Sequence, residues 1–114
     1  MLSKHLRDKV IQRDHSTCWH CGEDEAISIQ HRQNRGMGGS KTRDRLDNLI
    51  VLCSAFNALI ESDAIAANFA RDNGWKLNSW DDYTTPVFNK NFGKWYQLDL
   101  NGGKQETHPP MWLI

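Results

Sequence analysis

A Cys-x-x-Cys pair, Cys18 and Cys21, followed directly by Gly22, places the strongest constraint on how this chain folds. A turn of this spacing is typical of a knuckle that presents two thiolates to one metal ion. Cys53 begins a second knuckle, but the position that would complete it, 56, holds phenylalanine. Three cysteines behind a charged amino terminus argue against a disulfide framework. The pattern predicts a small fold in which residues 18–21 meet the chain near residue 53.

Two interpretations of the cysteines are open. In the first, Cys18, Cys21 and Cys53 hold a structural zinc ion, and the fourth ligand is water or a nearby histidine, His15 or His20. We expect His20, inside the knuckle, to point outward. In the second, Phe56 packs where a metal would otherwise lie, and the three thiols are small buried apolar groups.

Hydrophobic periodicity predicts helices and short strands in an α+β arrangement. Ser3 is a candidate helix cap at the start, and Ser54 at the start of a later helix. The predicted elements are a helix over 3–14, a strand over 26–32, a glycine-rich loop over 33–45, a strand over 48–53, a helix from 54 that breaks at 62–63 and restarts, and a hairpin within 87–100. Residues 1–75 form the predicted core, and residues 76–114 form a hairpin and tail packed on it.

Charge is balanced overall, with 14 basic and 14 acidic residues, which excludes a uniformly basic nucleic-acid coat. It is uneven locally, because the segment 31–45 has five basic residues against the single carboxylate of Asp44. Such a loop is either a solvated surface or a grip on a phosphate backbone. The candidate DNA-binding residues are Arg32, Arg35, Lys41, Arg43 and Arg45.

Several classes of protein are excluded by composition. No apolar stretch approaches the roughly 20 residues that a membrane span needs. The amino terminus lacks the apolar segment of a signal peptide. We therefore expect a cytoplasmic protein with no membrane partner, in the host cell if the chain is phage-encoded.

The order of these pieces resembles the HNH endonuclease family. It comprises the Cys-x-x-Cys turn, a strand ending in Gln30-His31, the basic glycine loop, Asn48, a strand ending in Cys53 and a helix that starts near Asn57. The phrases IQHRQNRGMGGSK, LDNLIVLC and NALIESDA look most like small HNH proteins encoded by phages of actinobacteria. The likeness covers about residues 8–75. It implies a ββα-metal (His-Me finger) core with an added N-terminal helix, a longer following helix and a C-terminal β-hairpin.

The resemblance also implies a role for each matching residue. His31 would be the general base, and Asn48 would bridge the loop and orient that histidine through its backbone carbonyl. Gln30, Asn57 and Glu61 would hold a divalent metal. Asn57 and Glu61 are four residues apart, which puts both on one helix face. Their oxygen donors suit Mg²⁺ or Mn²⁺ better than Zn²⁺.

The implied function is metal-dependent cleavage of DNA phosphodiester bonds, by nicking or cutting with low sequence specificity. Small HNH proteins of this kind are associated with phage genome processing and packaging, which implies a terminase as a partner. The alternative is a degenerate HNH module, or a packaging accessory protein, that binds nucleic acid without cleaving it. The neutral Gln30 and the missing fourth cysteine favour that alternative. Either a monomer or a dimer suits a chain of this size.

Overall fold

Two small antiparallel sheets and three α-helices make up residues 2–34 and 41–113, the part of the chain that the computed structural model describes. This confirms the predicted α+β class. The elements in chain order are α1 Lys4–Arg13, β1 Ile27–His31, β2 Leu49–Cys53, α2 Ser54–Ser62, α3 Ala64–Asp72, β3 Val87–Asn89, β4 Lys94–Leu98 and β5 Lys104–Thr107.

The first sheet is the hairpin of β1 and β2, paired from Ile27 opposite Cys53 to His31 opposite Leu49. Every residue of β2 is buried, because both of its faces are covered. One face contributes Leu49 and Val51 to an apolar cluster with α1 and with Ile27 and Ile29 of β1. The opposite face packs against α2. Alternation along β1 therefore turns Ser28 and Gln30 toward α2 and His31 away from it.

Helix α1 confirms the first predicted helix. The Ser3 side chain caps it by accepting a hydrogen bond from the Leu6 amide at 3.2 Å. At its other end the buried Asp14 carboxylate accepts from the Val51 amide at 3.0 Å. The neighbouring Arg13 guanidinium donates to the Leu46 carbonyl at 2.8 Å. These bonds fix α1 against the edge of β2.

Helices α2 and α3 confirm the predicted break at residues 62–63. Asp63 ends α2 and caps α3, accepting a hydrogen bond from the Ala66 amide at 3.0 Å. One detail was predicted wrongly: Cys53, not Ser54, is the cap of α2, and its sulfur accepts from the Phe56 amide at 3.4 Å. Ser54 is already inside the first helical turn, where its own amide donates to the Ala26 carbonyl.

The second sheet contains the predicted hairpin, β3 and β4, and a further strand, β5, that the sequence analysis missed. Strand β5 reads Lys-Gln-Glu-Thr and has no apolar alternation to reveal it. Val87 and Leu98 of this sheet belong to the same apolar cluster as Trp19, Ile50 and Trp75. One core therefore joins residues before and after position 75. None of the helices in the described ranges is long and apolar enough to cross a membrane.

Candidate functional site

Helix α2 runs along β1 in the same direction as the strand. Ser54 donates to the Ala26 carbonyl at 2.8 Å, and one turn later the Asn57 side-chain amide donates to Ser28 Oγ at 2.9 Å. Gln30 lies one pleat beyond Ser28 on the same strand face. Glu61 lies one helical turn beyond Asn57. The three predicted oxygen donors, Gln30, Asn57 and Glu61, therefore lie along one seam between β1 and α2.

Burial differs sharply along this seam. Gln30 is buried, and its Nε2 has no hydrogen-bond partner among the described residues. The Glu61 side chain is 55% exposed, and its Oε1 lies 4.0 Å from the ammonium of Lys76, whose own side chain is almost fully buried. The sequence analysis missed Lys76, because a lysine after a helix carries no motif signal. Amide and carboxylate oxygens beside a cation make the seam able to bind either a metal ion or a phosphate.

The His31 imidazole lies at the end of β1, on the strand face opposite Gln30. Its Nε2 is 2.7 Å from Asp44 Oδ1, and both side chains are mostly buried. With the carboxylate accepting from Nε2–H, the lone pair of the neutral ring lies on Nδ1. Asp44 was not predicted as a site residue. The sequence did offer a signal for it, because Asp44 is the single acidic residue of the basic loop.

Asn48 is fully buried and ties the two ends of the loop together. Its side-chain oxygen accepts from the Gln33 amide at 2.7 Å, and its Nδ2 donates to the carbonyls of Gln33 and Arg43. The Asn48 backbone carbonyl accepts from the Arg32 amide at 2.7 Å. Asn48 therefore bridges the loop, but the imidazole of His31 is oriented by Asp44 and not by the Asn48 carbonyl.

The prediction that Arg32 binds phosphate is wrong. Its side chain is 0% exposed, and its guanidinium donates to the carbonyls of Gly74, Asp47 and Thr85 at 2.8, 3.0 and 2.6 Å. Burial, reinforced by the charge of Arg13, lowers the pKa of Arg32 to about 9, so the group remains charged at neutral pH. Arg32 is committed to holding the backbone after β1, because each of these buried carbonyls needs a donor.

Of the remaining basic loop residues, the structure describes the side chains of Arg43 and Arg45. Arg43 donates to the Tyr83 hydroxyl at 3.1 Å. Arg45 pairs with Asp47 at 2.7 Å and lies 4.2 Å from the centre of the Tyr83 ring, and the hydrogen bond to Asp47 raises the pKa of Arg45. Both are partly exposed. Arg35 and the side chain of Lys41 lie outside the described residues.

The cysteines form a cluster that could hold a metal ion. Ligand atoms of Cys18, His20 and Cys21 lie within 4.8 Å of one another, and so do those of Cys21, Glu23 and Cys53. The His20 amide donates to Cys18 Sγ at 3.4 Å, two residues along the chain, whereas Cys53 Sγ accepts from the Phe56 amide, three residues along, at the start of α2. Burial raises the pKa of the Cys53 thiol to about 11.

His20 does not point outward as predicted. Its ring stacks on Phe56 with centroids 4.0 Å apart, and it contacts the edge of Trp75 at 5.3 Å. Its Nδ1 is buried without a partner among the described residues. Burial, with a smaller contribution from Lys90, lowers the pKa of His20. Phe56 thus packs on the His20 ring beside the cysteine cluster.

The structure brings the candidate residues together in three places: the seam between β1 and α2, the junction of His31 with the loop ends, and the cysteine cluster. Comparison with protein families, with curated proteins and with solved structures gives no match for this chain.

Proposed function

We propose that this chain is a metal-dependent endonuclease that hydrolyses DNA phosphodiester bonds, with the ββα-metal arrangement of the HNH family. The observation that carries the proposal is the packing of α2 along β1, in which Asn57 is hydrogen-bonded to Ser28. This packing aligns amide and carboxylate oxygens beside a strand that ends in histidine. A buried bridge through Asn48 supports the same end of the strand.

The donors along the seam fit a hard divalent cation. Asn57 uses its amide nitrogen to bond Ser28, which leaves its oxygen for a ligand. Gln30 could contribute only its side-chain oxygen, because the buried Nε2, which has no partner among the described residues, is a hydrogen-bond donor. Glu61 supplies one formal negative charge. Mg²⁺ or Mn²⁺ is held by such oxygen sets and, when bound, would act as a Lewis acid on the scissile phosphate.

The residues at the junction have separate roles in the proposed reaction. His31, in its neutral form, would accept a proton from the attacking water as the new oxygen–phosphorus bond forms. The bond from phosphorus to the leaving 3′ oxygen breaks at the same time, and that oxygen takes up a proton from water. Asp44 holds the ring and stabilises the imidazolium that results. Asn48 acts as a positioning residue, because it fixes the loop that carries Asp44 relative to the strand that carries His31.

The direct test is conversion of supercoiled plasmid to open-circle or linear DNA with Mn²⁺ or Mg²⁺. Loss of a general base lowers rates about 10²–10⁴-fold, and we expect that loss in His31→Ala. His108→Ala, which removes an exposed histidine near the carboxyl end, is the matched control and should cleave normally. Cleavage should stop in EDTA. Equal cleavage by His31→Ala and wild type would contradict the proposed base.

Glu61→Gln tests the metal assignment separately. It removes the one formal charge from the proposed donor set, so the metal concentration for half-maximal cleavage should rise about tenfold or more, equivalent to about 1.4 kcal/mol or more. Glu25→Gln changes an exposed carboxylate elsewhere and should leave the metal dependence unchanged. An unaltered metal titration in Glu61→Gln would remove Glu61 from the donor set.

A second candidate function is a nucleic-acid-binding module that no longer cleaves. One contact favours it: the Lys76 ammonium near Glu61 repels a second cation. Such a module would retard DNA on a gel in a salt-sensitive manner without cleaving it in any metal. The plasmid assay therefore separates the two functions. A role in phage genome packaging and a terminase partner stay predictions from the family resemblance.

The cysteine cluster is proposed to hold structural Zn²⁺ through Cys18, Cys21 and Cys53, because soft thiolates favour zinc over magnesium. Co²⁺ substitution should give thiolate charge-transfer absorption that Cys21→Ser weakens, and a strong chelator should lower the melting temperature. If the chain carries no zinc and the chelator has no effect, the packing of Phe56 on His20 holds this region without metal.

A further inference from the structure

A hollow of about 270 Å³ opens beside the seam, where Lys76 lies near Glu61. We call it the Trp80 hollow. Among the described residues its charged lining groups are both basic, and the others are mostly amides, a hydroxyl and an aromatic ring. The lining residues used in the argument are Gln33, Arg71, Lys76, Asn78 and Trp80. A concave surface of this composition attracts anions.

The two cations connect this hollow to the proposed metal site. Arg71 and Lys76 also line a neighbouring hollow of about 280 Å³ that contains Glu61. Arg71 donates from Nη1 to Asn68, while its Nε is buried with no partner in the described parts of the chain. The Lys76 ammonium is 4.0 Å from Glu61, longer than a hydrogen bond. The Lys76 ammonium and the Arg71 Nη groups therefore have donor capacity for a phosphate, whereas the buried Arg71 Nε is not accessible to one.

Trp80 stands 81% exposed at the tip of a rigid turn. The turn is closed by a 2.7 Å bond from the Asn78 amide to the Asp81 carboxylate. It is fixed to the chain just after β1 by Gln33, whose side-chain amide donates to the Asn78 carbonyl at 2.7 Å. A large flat ring held open to solvent by a fixed backbone is suited to stacking on a nucleic-acid base.

We infer that the Trp80 hollow binds an unpaired nucleotide of single-stranded DNA next to the cleaved bond. Its phosphate is held by Arg71 and Lys76, and its base stacks on Trp80. A base inside a duplex has both faces covered by its neighbours, so only an unpaired one can use the ring. The inference rests on the proposed nuclease function for its location, but its test measures binding and needs no cleavage.

The test is fluorescence anisotropy of a labelled single-stranded oligonucleotide with the full chain, in buffer without added Mg²⁺ or Mn²⁺. Removing a stacking aromatic weakens single-strand binding about 5- to 150-fold, and we expect such a loss in Trp80→Ala. Phe92→Ala, which removes an exposed aromatic ring from the turn between β3 and β4, is the control. Arg71→Gln should reduce the slope of log affinity against log salt by about 0.7, the contribution of one phosphate contact. Arg7→Gln, which removes an arginine of α1, should leave this slope unchanged.

Substrate form gives a second readout. The same sequence as a blunt duplex should bind more weakly than the single strand, and Trp80→Ala should abolish the difference. Unchanged single-strand affinity in Trp80→Ala, or equal losses in Trp80→Ala and Phe92→Ala, would overturn the inference while leaving plasmid cleavage as the measure of the nuclease. Trp80-dependent binding by a wild-type chain that cleaves nothing would support the hollow and overturn the nuclease.

Discussion

Two arginines in this molecule have opposite environments. Arg32, directly after β1, is fully buried, and backbone carbonyls from three separate segments accept its hydrogen bonds. Arg71, near the end of α3, is partly exposed, lines the Trp80 hollow and has a buried Nε without a partner in the described ranges. The Arg32 guanidinium donates its hydrogen bonds to carbonyls of the fold. The Arg71 guanidinium has hydrogen-bond donors left for a ligand.

This comparison shows that a charge next to a catalytic motif does not identify the group that binds substrate. At the junction, where Arg32 and Asn48 lie beside the end of β1, the buried hydrogen-bond donors and acceptors are paired with one another. This pairing makes the end of β1 rigid. The Trp80 hollow is open and keeps unused donors. The proposed substrate binding is assigned to the open set, since buried groups that are already paired gain little from a new partner.

The largest effect that tests this comparison is on stability. Arg32→Met should lower the free energy of unfolding by about 3 kcal/mol or more, because at least three carbonyls lose a donor at about 1–3 kcal/mol each. Arg71→Met makes the same chemical change at the hollow and should stay within about 0.5 kcal/mol of wild type. Urea unfolding followed by circular dichroism measures both. Similar losses in the two variants would erase the distinction between the junction and the hollow.

Much of the fold could be predicted from the sequence because local signals were strong. Ser3 capping, the alternation of Ile27 and Ile29, and the break at Asp63 each depend on neighbours along the chain. Strand β5 could not be predicted, because its polar residues are held by pairing with β4 and not by an apolar face. The cap by Cys53 was hidden by the adjacent Ser54, a better capping residue by type.

The candidate site was less predictable, since its polar contacts are long-range. The position of Asn57 and Glu61 on one face of α2 followed from their spacing of four residues. The role of Arg32 did not, because three of its acceptors, Gly74, Tyr83 and Thr85, lie more than 40 residues further along the chain. Lys76 and Trp80 reach the site through the turn that Gln33 fixes. No local pattern encodes that contact.

A smaller effect on stability is expected at Asn48. Asn48→Ala should cost about 1–3 kcal/mol, because the buried Gln33 amide loses its acceptor and the loop ends lose their bridge. Asn34→Ala, an exposed asparagine of the same loop that lines the hollow, should change the free energy of unfolding by less than about 0.5 kcal/mol. Plasmid cleavage should fall in Asn48→Ala even at temperatures where it is fully folded. Full activity there would limit Asn48 to a role in folding.

The smallest effect concerns the segment that both regions share, residues 78–85, which carries Trp80 and the carbonyls of Tyr83 and Thr85. Hydrogen bonds from the Thr84 backbone and side chain lower the pKa of Asp82. The unfolded chain therefore takes up this proton at a higher pH than the folded chain. The stabilisation is present above about pH 4 and is lost as pH falls through the lowered pKa.

Wild type should exceed Asp82→Asn in urea midpoint at pH 6, and the gap should close below pH 4. Asp24→Asn, at another exposed carboxylate, should show no such closing gap. A gap that is independent of pH would mean that Asp82 supports the segment without its charge.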